Sequence, residues 1–194
     1  MEIFILEGCR GTGKTSVAIK LRQRTPETTL INFTGFHDDG ESGLSKVKHY
    51  YDSWMNALFS LSSHQSKFVF DRFYFSEMVY SHLYKEYSFK DNYENLNDLL
   101  EDLSEMGVKI HIILLTINDE TELSSRLMRD KVPFNKVDDN VQESLKQQEI
   151  YKKLFDQFYF KYGSENLQLH EIDTSGKESD EVFNLIIENL NKGR

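Results

Sequence analysis

The sequence predicts an α/β domain built on a doubly wound, mostly parallel five-stranded sheet flanked by helices. Three observations carry that expectation. Short apolar runs alternate with amphipathic ones along the whole chain, the order that gives parallel strands joined by right-handed crossovers. The first apolar run leads into Gly8-Cys9-Arg10-Gly11-Thr12-Gly13-Lys14-Thr15 and then directly into a helical pattern. The third apolar run ends in a carboxylate, Asp71.

Taken in order, Glu2 to Leu6 reads as a buried strand, followed by a helix to Arg24 that Pro26 closes. Thr28 to Phe33 is a second strand, and Thr34 to Gly43 a polar loop carrying Asp38, Asp39 and Glu41. Leu44 to Ser63 has Val47, Tyr51, Trp54, Leu58 and Leu61 at helical spacing. Lys67 to Asp71 is the third strand, and Phe73 to Glu86 an unusually aromatic helix. A helix from Tyr93 to Met106, closed by Gly107, precedes the strand Val108 to Leu115. Asp119 to Arg129 is helical with Asn118 or Asp119 as its cap, and Pro133 marks a loop running to about Asp138. A long helix from Asn140 to Tyr162 leads to the strand Leu167 to Ile172. The last helix runs from Glu178 to Leu190, with Ser179 as a candidate cap.

The 194 residues suit a single domain, with no repeat or linker to divide them. No apolar run approaches the ~18–20 residues that span a bilayer, so no membrane partner is expected and a cytoplasmic location follows. The formal charge of −9, from 23 basic and 32 acidic residues, disfavours broad electrostatic capture of nucleic acid. It suits a protein whose cations converge on one phosphate-rich cleft. A homodimer stays open. Cys9 is the sole cysteine, which excludes an internal disulfide, and the six histidines show no ligand spacing.

The glycine-rich stretch carries the strongest chemistry. Strand, glycine turn and helix in that order form a phosphate-binding P-loop, in which backbone N–H groups turn inward around an anion. The helix start adds its unpaired N–H groups and the positive end of its dipole. Lys14 would reach the β- and γ-phosphates of ATP, and the Thr15 hydroxyl would ligate Mg²⁺. Gly8, Arg10, Gly11, Thr12, Gly13, Lys14, Thr15 and Ser16 are therefore the expected nucleotide-binding set. Asp71, ending a strand beside this loop, fits the Walker-B carboxylate that supports the metal directly or through water.

From Asp71 the chain reads Asp71-Arg72-Phe73-Tyr74-Phe75-Ser76, with Tyr80 one turn on. This stretch resembles the Asp-Arg-aromatic signature of the thymidylate kinase family of P-loop nucleotide kinases. By that resemblance Asp71 lies near the metal and acceptor phosphate, and Arg72 binds the acceptor phosphate. Ser76 and Tyr80 help enclose the acceptor. Phe73 stands where the family usually has Tyr or His, and the aromatic segment from Phe73 offers Phe73 or Tyr80 as a ring to stack on the base. The family's Arg-Glu-Pro after the second strand is absent; Asn32-Phe33-Thr34-Gly35 stands there instead.

Arg126 and Arg129, three apart on one helix face, are the candidates for a lid over the triphosphate, in a segment of about residues 119–138. Related kinases close such a segment over ATP to exclude water. In the similar kinases the turn after the last strand packs near adenine, a role that by the resemblance falls on Thr174. Together these read as one kinase domain, 1–194, moving the γ-phosphoryl of MgATP to a deoxynucleoside monophosphate, thymidylate-like or a modified pyrimidine. Two alternatives remain open: a kinase of a nucleoside or of a hydroxylated base in DNA, and a non-catalytic nucleotide-dependent regulatory module. No Asn-Lys-x-Asp guanine-reading motif is present.

Overall fold

The computed structural model describes residues 1–33, 35–129 and 137–192, with backbone alone for 137–139 and 192. Its strands are β1 (Glu2–Glu7), β2 (Thr28–Asn32), β3 (Lys67–Asp71), β4 (Lys109–Thr116) and β5 (Leu167–Asp173). They form one sheet in the order β2-β3-β1-β4-β5, parallel at every pairing. The helices are α1 (Lys14–Arg24), α2 (Gly40–Leu61), α3 (Tyr74–Tyr84), α4 (Lys90–Glu105), α5 (Glu120–Arg129), α6 (Val137–Tyr162) and α7 (Ser179–Lys192).

Side chains alternate across each strand, so the central strands feed two cores. Ile3 and Ile5 of β1 pack with Ile110, Ile112 and Leu114 of β4 beneath α2, α3, α4 and α6. Phe4 and Leu6 pack with Ile113, Leu115 and Ile172 beneath α1 and α7. A third, small cluster joins Cys9 to Leu123, Leu127 and Val141 and seats α5 beside the glycine loop. Because all strands run one way, their carboxyl ends share one edge. β1 lies between β3 and β4, where the strand order turns, and this is the crevice in which ligands collect on open α/β sheets.

Several boundaries differ from the sequence reading. Residues 40–43, expected in a loop, open α2, because the Asp39 carboxylate accepts the Gly40 N–H at 2.8 Å and caps the helix. The polar composition of that turn hid a helix start. Asp138, expected in a loop, lies in α6, which starts at Val137; the Pro133 loop, Asp130, Lys131 and Thr34 lie outside the described residues. Ser179 opens α7 rather than capping it, and the Glu181 carboxylate accepts the Glu178 N–H at 2.7 Å. Among the described residues no helix is long and apolar enough to cross a membrane.

Candidate active site

The glycine loop passes over the β4 edge with little clearance. Gly8 has φ +137°, and a Cβ there would stand 2.2 Å from the Leu115 carbonyl oxygen. Gly13, at φ 84°, is the N-cap of α1 and provides no side-chain cap bond, so the first N–H groups of α1 face the cleft unpaired. Lys14 folds back over the loop: its Nζ donates to the Cys9 carbonyl at 2.5 Å and to Thr12 Oγ1 at 3.3 Å. It is only 6% exposed. Burial, then the nearby Arg72 guanidinium, pull its pKa down to about 7. A buried ammonium whose hydrogen bonds among the described residues go to loop oxygens alone is suited to a multiply charged anion. Cys9 is fully buried, its thiol pushed up by burial, which makes it a packing residue rather than a nucleophile.

Asp71 follows a strand register that sets Leu6 and Asn32 on either side of it. Its Oδ2 accepts Thr15 Oγ1 at 2.5 Å and Asn32 Nδ2 at 2.9 Å. A hydroxyl and a carboxylate, both hard oxygen donors, thus meet beside the lysine. That donor set fits Mg²⁺, which favours carboxylate, water and phosphate oxygens. Thr15 and Asp71 would hold the ion, whose chemistry there is to neutralise charge on the β- and γ-phosphates. Asn32 has no counterpart in the sequence reading.

Arg72 occupies left-handed backbone, φ 74°, a conformation a side-chain-bearing residue keeps only when its surroundings impose it. Its N–H donates to the Leu6 carbonyl at 3.0 Å. Its Nη1 donates to Ser76 Oγ at 3.2 Å and to the Tyr151 hydroxyl at 3.3 Å, and the guanidinium lies 5.7 Å from the Tyr80 ring centre. Beneath it sits Glu7, fully buried at the end of β1. Glu7 accepts the Phe73 N–H at 2.7 Å and the Ser76 hydroxyl at 2.5 Å, while Tyr151 and Ser76 lie 2.7 Å apart. Burial pushes the Glu7 carboxyl up to about 7, against the hydrogen bond from Ser76 and the charge of Arg72. Neither Glu7 nor Tyr151 was singled out from sequence. Glu7 carried one signal, a charged residue closing an apolar strand; Tyr151 looked like one more ring on the apolar face of α6.

The raised acid pKa has a stability consequence. Between pH 4.5 and about 7 the folded chain holds a proton at Glu7 that the unfolded chain has released. Its contribution is therefore full below 4.5 and is lost as pH rises through 7. Glu7→Gln is expected to flatten that slope. Urea unfolding of both proteins at pH 5 and pH 7 checks it; equal slopes in the two proteins would place the titration elsewhere.

The two lid arginines differ. Arg126 is a brace: its guanidinium donates to the Gly11 carbonyl at 3.2 Å, Thr174 Oγ1 at 3.0 Å, the Thr174 carbonyl at 2.7 Å and the Glu122 carboxylate at 2.5 Å. Thr174 is itself buried, its hydroxyl donating to the Thr116 carbonyl at 2.9 Å. Arg126 thus ties the glycine loop to the turn after β5. Arg129 is exposed, lines the same cleft, and has no hydrogen-bond partner among the described residues. Loss of charged hydrogen bonds in Arg126→Ala should cost about 1.5–3 kcal/mol, lowering the midpoint by roughly 3–10 °C. Arg129→Ala should leave the midpoint almost unchanged and act on turnover alone. Thermal melts of the two variants, beside their turnover, test this division.

Around these groups lies a cleft of about 820 Å³, lined by Arg10, Gly11, Thr12, Gly13, Lys14, Thr15, Ser16, Asp71, Arg72, Tyr80, Arg126, Arg129 and Thr174 among others. Phe33, Arg72 and Tyr80 also line an adjoining side chamber of about 200 Å³, which Ser76 borders. Gly8 lies under the loop rather than in the cleft wall. Phe73 does not face either space. It is buried between Phe70, at 4.4 Å between ring centres, and Tyr51, at 5.4 Å, so the acceptor role expected for it is corrected to core packing. The acidic loop is also structural: Asp39 caps α2 and accepts the Glu86 N–H at 3.0 Å, and Asp38 pairs with Lys46.

No protein-family pattern and no curated protein sequence matches the chain. Solved structures do. A deoxyadenosine kinase from M. mycoides with dCMP and dCDP bound matches with TM-score 0.56 at 12% identity, over 99% of this chain and 100% of that one. Polyphosphate kinase 2 from Arthrobacter aurescens TC1 gives 0.60 at 16% identity, over 99% and 67%. Thymidylate kinase from Candida albicans gives 0.51 at 17% identity, over 98% and 92%. At these identities the likeness is one of fold, and the fold is that of the P-loop nucleotide kinases.

Proposed function

We propose that this chain is an ATP-dependent kinase that phosphorylates a pyrimidine deoxynucleoside monophosphate. The observation that carries the reading is convergence. Lys14, the Thr15–Asp71 pair, Arg72 and Arg129 all face one cleft, and Arg72 stands where that cleft opens into the side chamber. A triphosphate on the glycine loop would meet Lys14 and Mg²⁺, and an acceptor in the chamber would present its phosphate to Arg72. An acceptor phosphate oxygen would then attack Pγ as the bond from Pγ to the β-phosphate oxygen breaks, giving ADP and a nucleoside diphosphate. Such transfer needs positioning and charge neutralisation more than covalent help from the protein. Of the kinases of similar fold, the one named for thymidylate agrees with a monophosphate acceptor, whereas the deoxyadenosine kinase holds dCMP as a product, which matches the nucleoside-acceptor alternative.

The lid segment is carried by α5 and Arg129, residues 130–136 of it lying outside the described residues, and the chain acts as one cytoplasmic domain. A nucleoside acceptor would leave the guanidinium of Arg72 without its phosphate, and the −9 charge disfavours DNA. A regulatory module would have no use for the chamber. The test is a screen with γ-labelled ATP and Mg²⁺ against nucleosides, nucleoside monophosphates and duplex DNA. Label on a pyrimidine monophosphate is expected. ATP hydrolysis indifferent to every acceptor would overturn the kinase reading.

A further inference from the structure

The side chamber holds a carboxylate that the chemistry above does not use. Glu77, on α3 one turn beyond Arg72, lines the chamber and is only 4% exposed. Its Oε1 accepts the Tyr87 hydroxyl at 2.6 Å. Its second oxygen has no hydrogen-bond partner among the described residues, and no cation pairs with it there. Lys85, on the same wall, is committed elsewhere: its Nζ donates to the carbonyls of His37 at 3.1 Å and Asp38 at 2.8 Å. Those bonds pin the segment after β2 against α3 and close the chamber. Its remaining walls include the rings of Phe33, Phe36 and Tyr80. At about 200 Å³ the chamber takes one flat ring and no second nucleotide.

The second Glu77 oxygen opens onto the chamber, where a donor on a bound ring can meet it. Burial raises the pKa of this carboxyl against the Tyr87 hydroxyl and the Lys85 charge. As a carboxylate bonded to Tyr87 through one oxygen, it offers the chamber an acceptor only. A base carrying an exocyclic amino group offers the needed N–H. A base with a carbonyl at that position sets oxygen against oxygen. We propose that Glu77 reads the acceptor base and selects an amino-bearing ring, cytosine-like rather than uracil- or thymine-like. The proposal rests on the acceptor occupying this chamber, and it replaces a thymidylate-like acceptor with an amino pyrimidine.

The geometry also predicts how the preference reverses. In Glu77→Gln the amide oxygen can keep the Tyr87 hydrogen bond, so the fold is retained, and the amide nitrogen then faces the ring as a donor. It would meet a carbonyl well and an amino group badly. The experiment measures dCMP and dUMP, which differ in the amino or carbonyl group at that position and in the proton on the neighbouring ring nitrogen, on wild type and Glu77→Gln, by transfer from labelled ATP and by calorimetric binding. Wild type should favour dCMP by roughly 10- to 100-fold in kcat/KM and in affinity, and Glu77→Gln should shrink or invert the ratio. A ratio that Glu77→Gln leaves unchanged would overturn the proposal, as would a ratio near one in wild type. A Glu77→Gln effect that follows removal of a sugar hydroxyl, compared in CMP and dCMP, would also overturn it. Absence of transfer to either nucleotide would count against the kinase reading, and the two affinities would still decide the role of Glu77.

Discussion

Replacing Lys14 with methionine is expected to lower phosphoryl transfer by about 10²-fold or more while the folded state becomes more stable at neutral pH. The loss follows from removing the one ammonium that the glycine loop aims at the transferring group. The gain follows from burial: the wild-type ammonium is almost wholly desolvated and, among the described residues, bonded only to Cys9 and Thr12 oxygens. Its pKa falls from 10.5 to about 7, so between those values the unfolded chain holds more protons than the folded one. The contribution of Lys14 is therefore fully present above pH 10.5 and is lost as pH falls through 7. Stability of wild type should rise from pH 7 to pH 9, and Lys14→Met should lack that rise. Turnover and urea unfolding at both pH values check the two halves. A variant with near-normal turnover would take the glycine loop out of catalysis; one with the wild-type pH slope would assign the titration to another group.

The second large effect is expected at Arg72. Arg72→Lys should lower acceptor kcat/KM by about 10- to 100-fold, on the order of 1.5–3 kcal/mol of charged hydrogen bonding, with little change in ATP affinity. A planar fork can hold two phosphoryl oxygens while touching Ser76 and Tyr151, and an ammonium cannot reproduce that spread. Separate titrations of ATP and acceptor read the split. Equal losses on both sides, or a loss confined to ATP, would move Arg72 to the donor side.

The contacts around Arg72 also show where sequence stops being informative. The alternation of apolar and amphipathic runs fixed strand count, helix order and the edge at which Lys14, Asp71 and Arg72 meet, because strand direction alone places those residues. Glu7 and Asn32 end β1 and β2 at that same edge, but the link from Glu7 through Ser76 to Tyr151 could not be read the same way. Glu7 and Tyr151 are 144 residues apart (151 − 7), and only the packing of α6 over α3 brings the Tyr151 hydroxyl to Ser76. Phe73 failed for a related reason: its position next to Arg72 suggested a ligand contact, yet its extended backbone at φ −141° goes with a ring packed among Phe70, Tyr51 and Tyr74. The two arginines of α5 shared a face in sequence but not a role, since Arg126, besides Glu122, reaches the distant Gly11 and Thr174.

In the proposed reaction the donor and acceptor lie in line in one continuous cleft, joined at Arg72. A bisubstrate analogue tests it most directly: adenosine and a pyrimidine deoxynucleoside linked by five phosphates, titrated calorimetrically in the presence of Mg²⁺ against wild type and Arg72→Lys. The account predicts binding at least ~10²-fold tighter than ATP alone, because the second site is engaged without a second loss of translational freedom. It predicts that Arg72→Lys removes most of that gain. Affinity no better than that of ATP, in either protein, would contradict it.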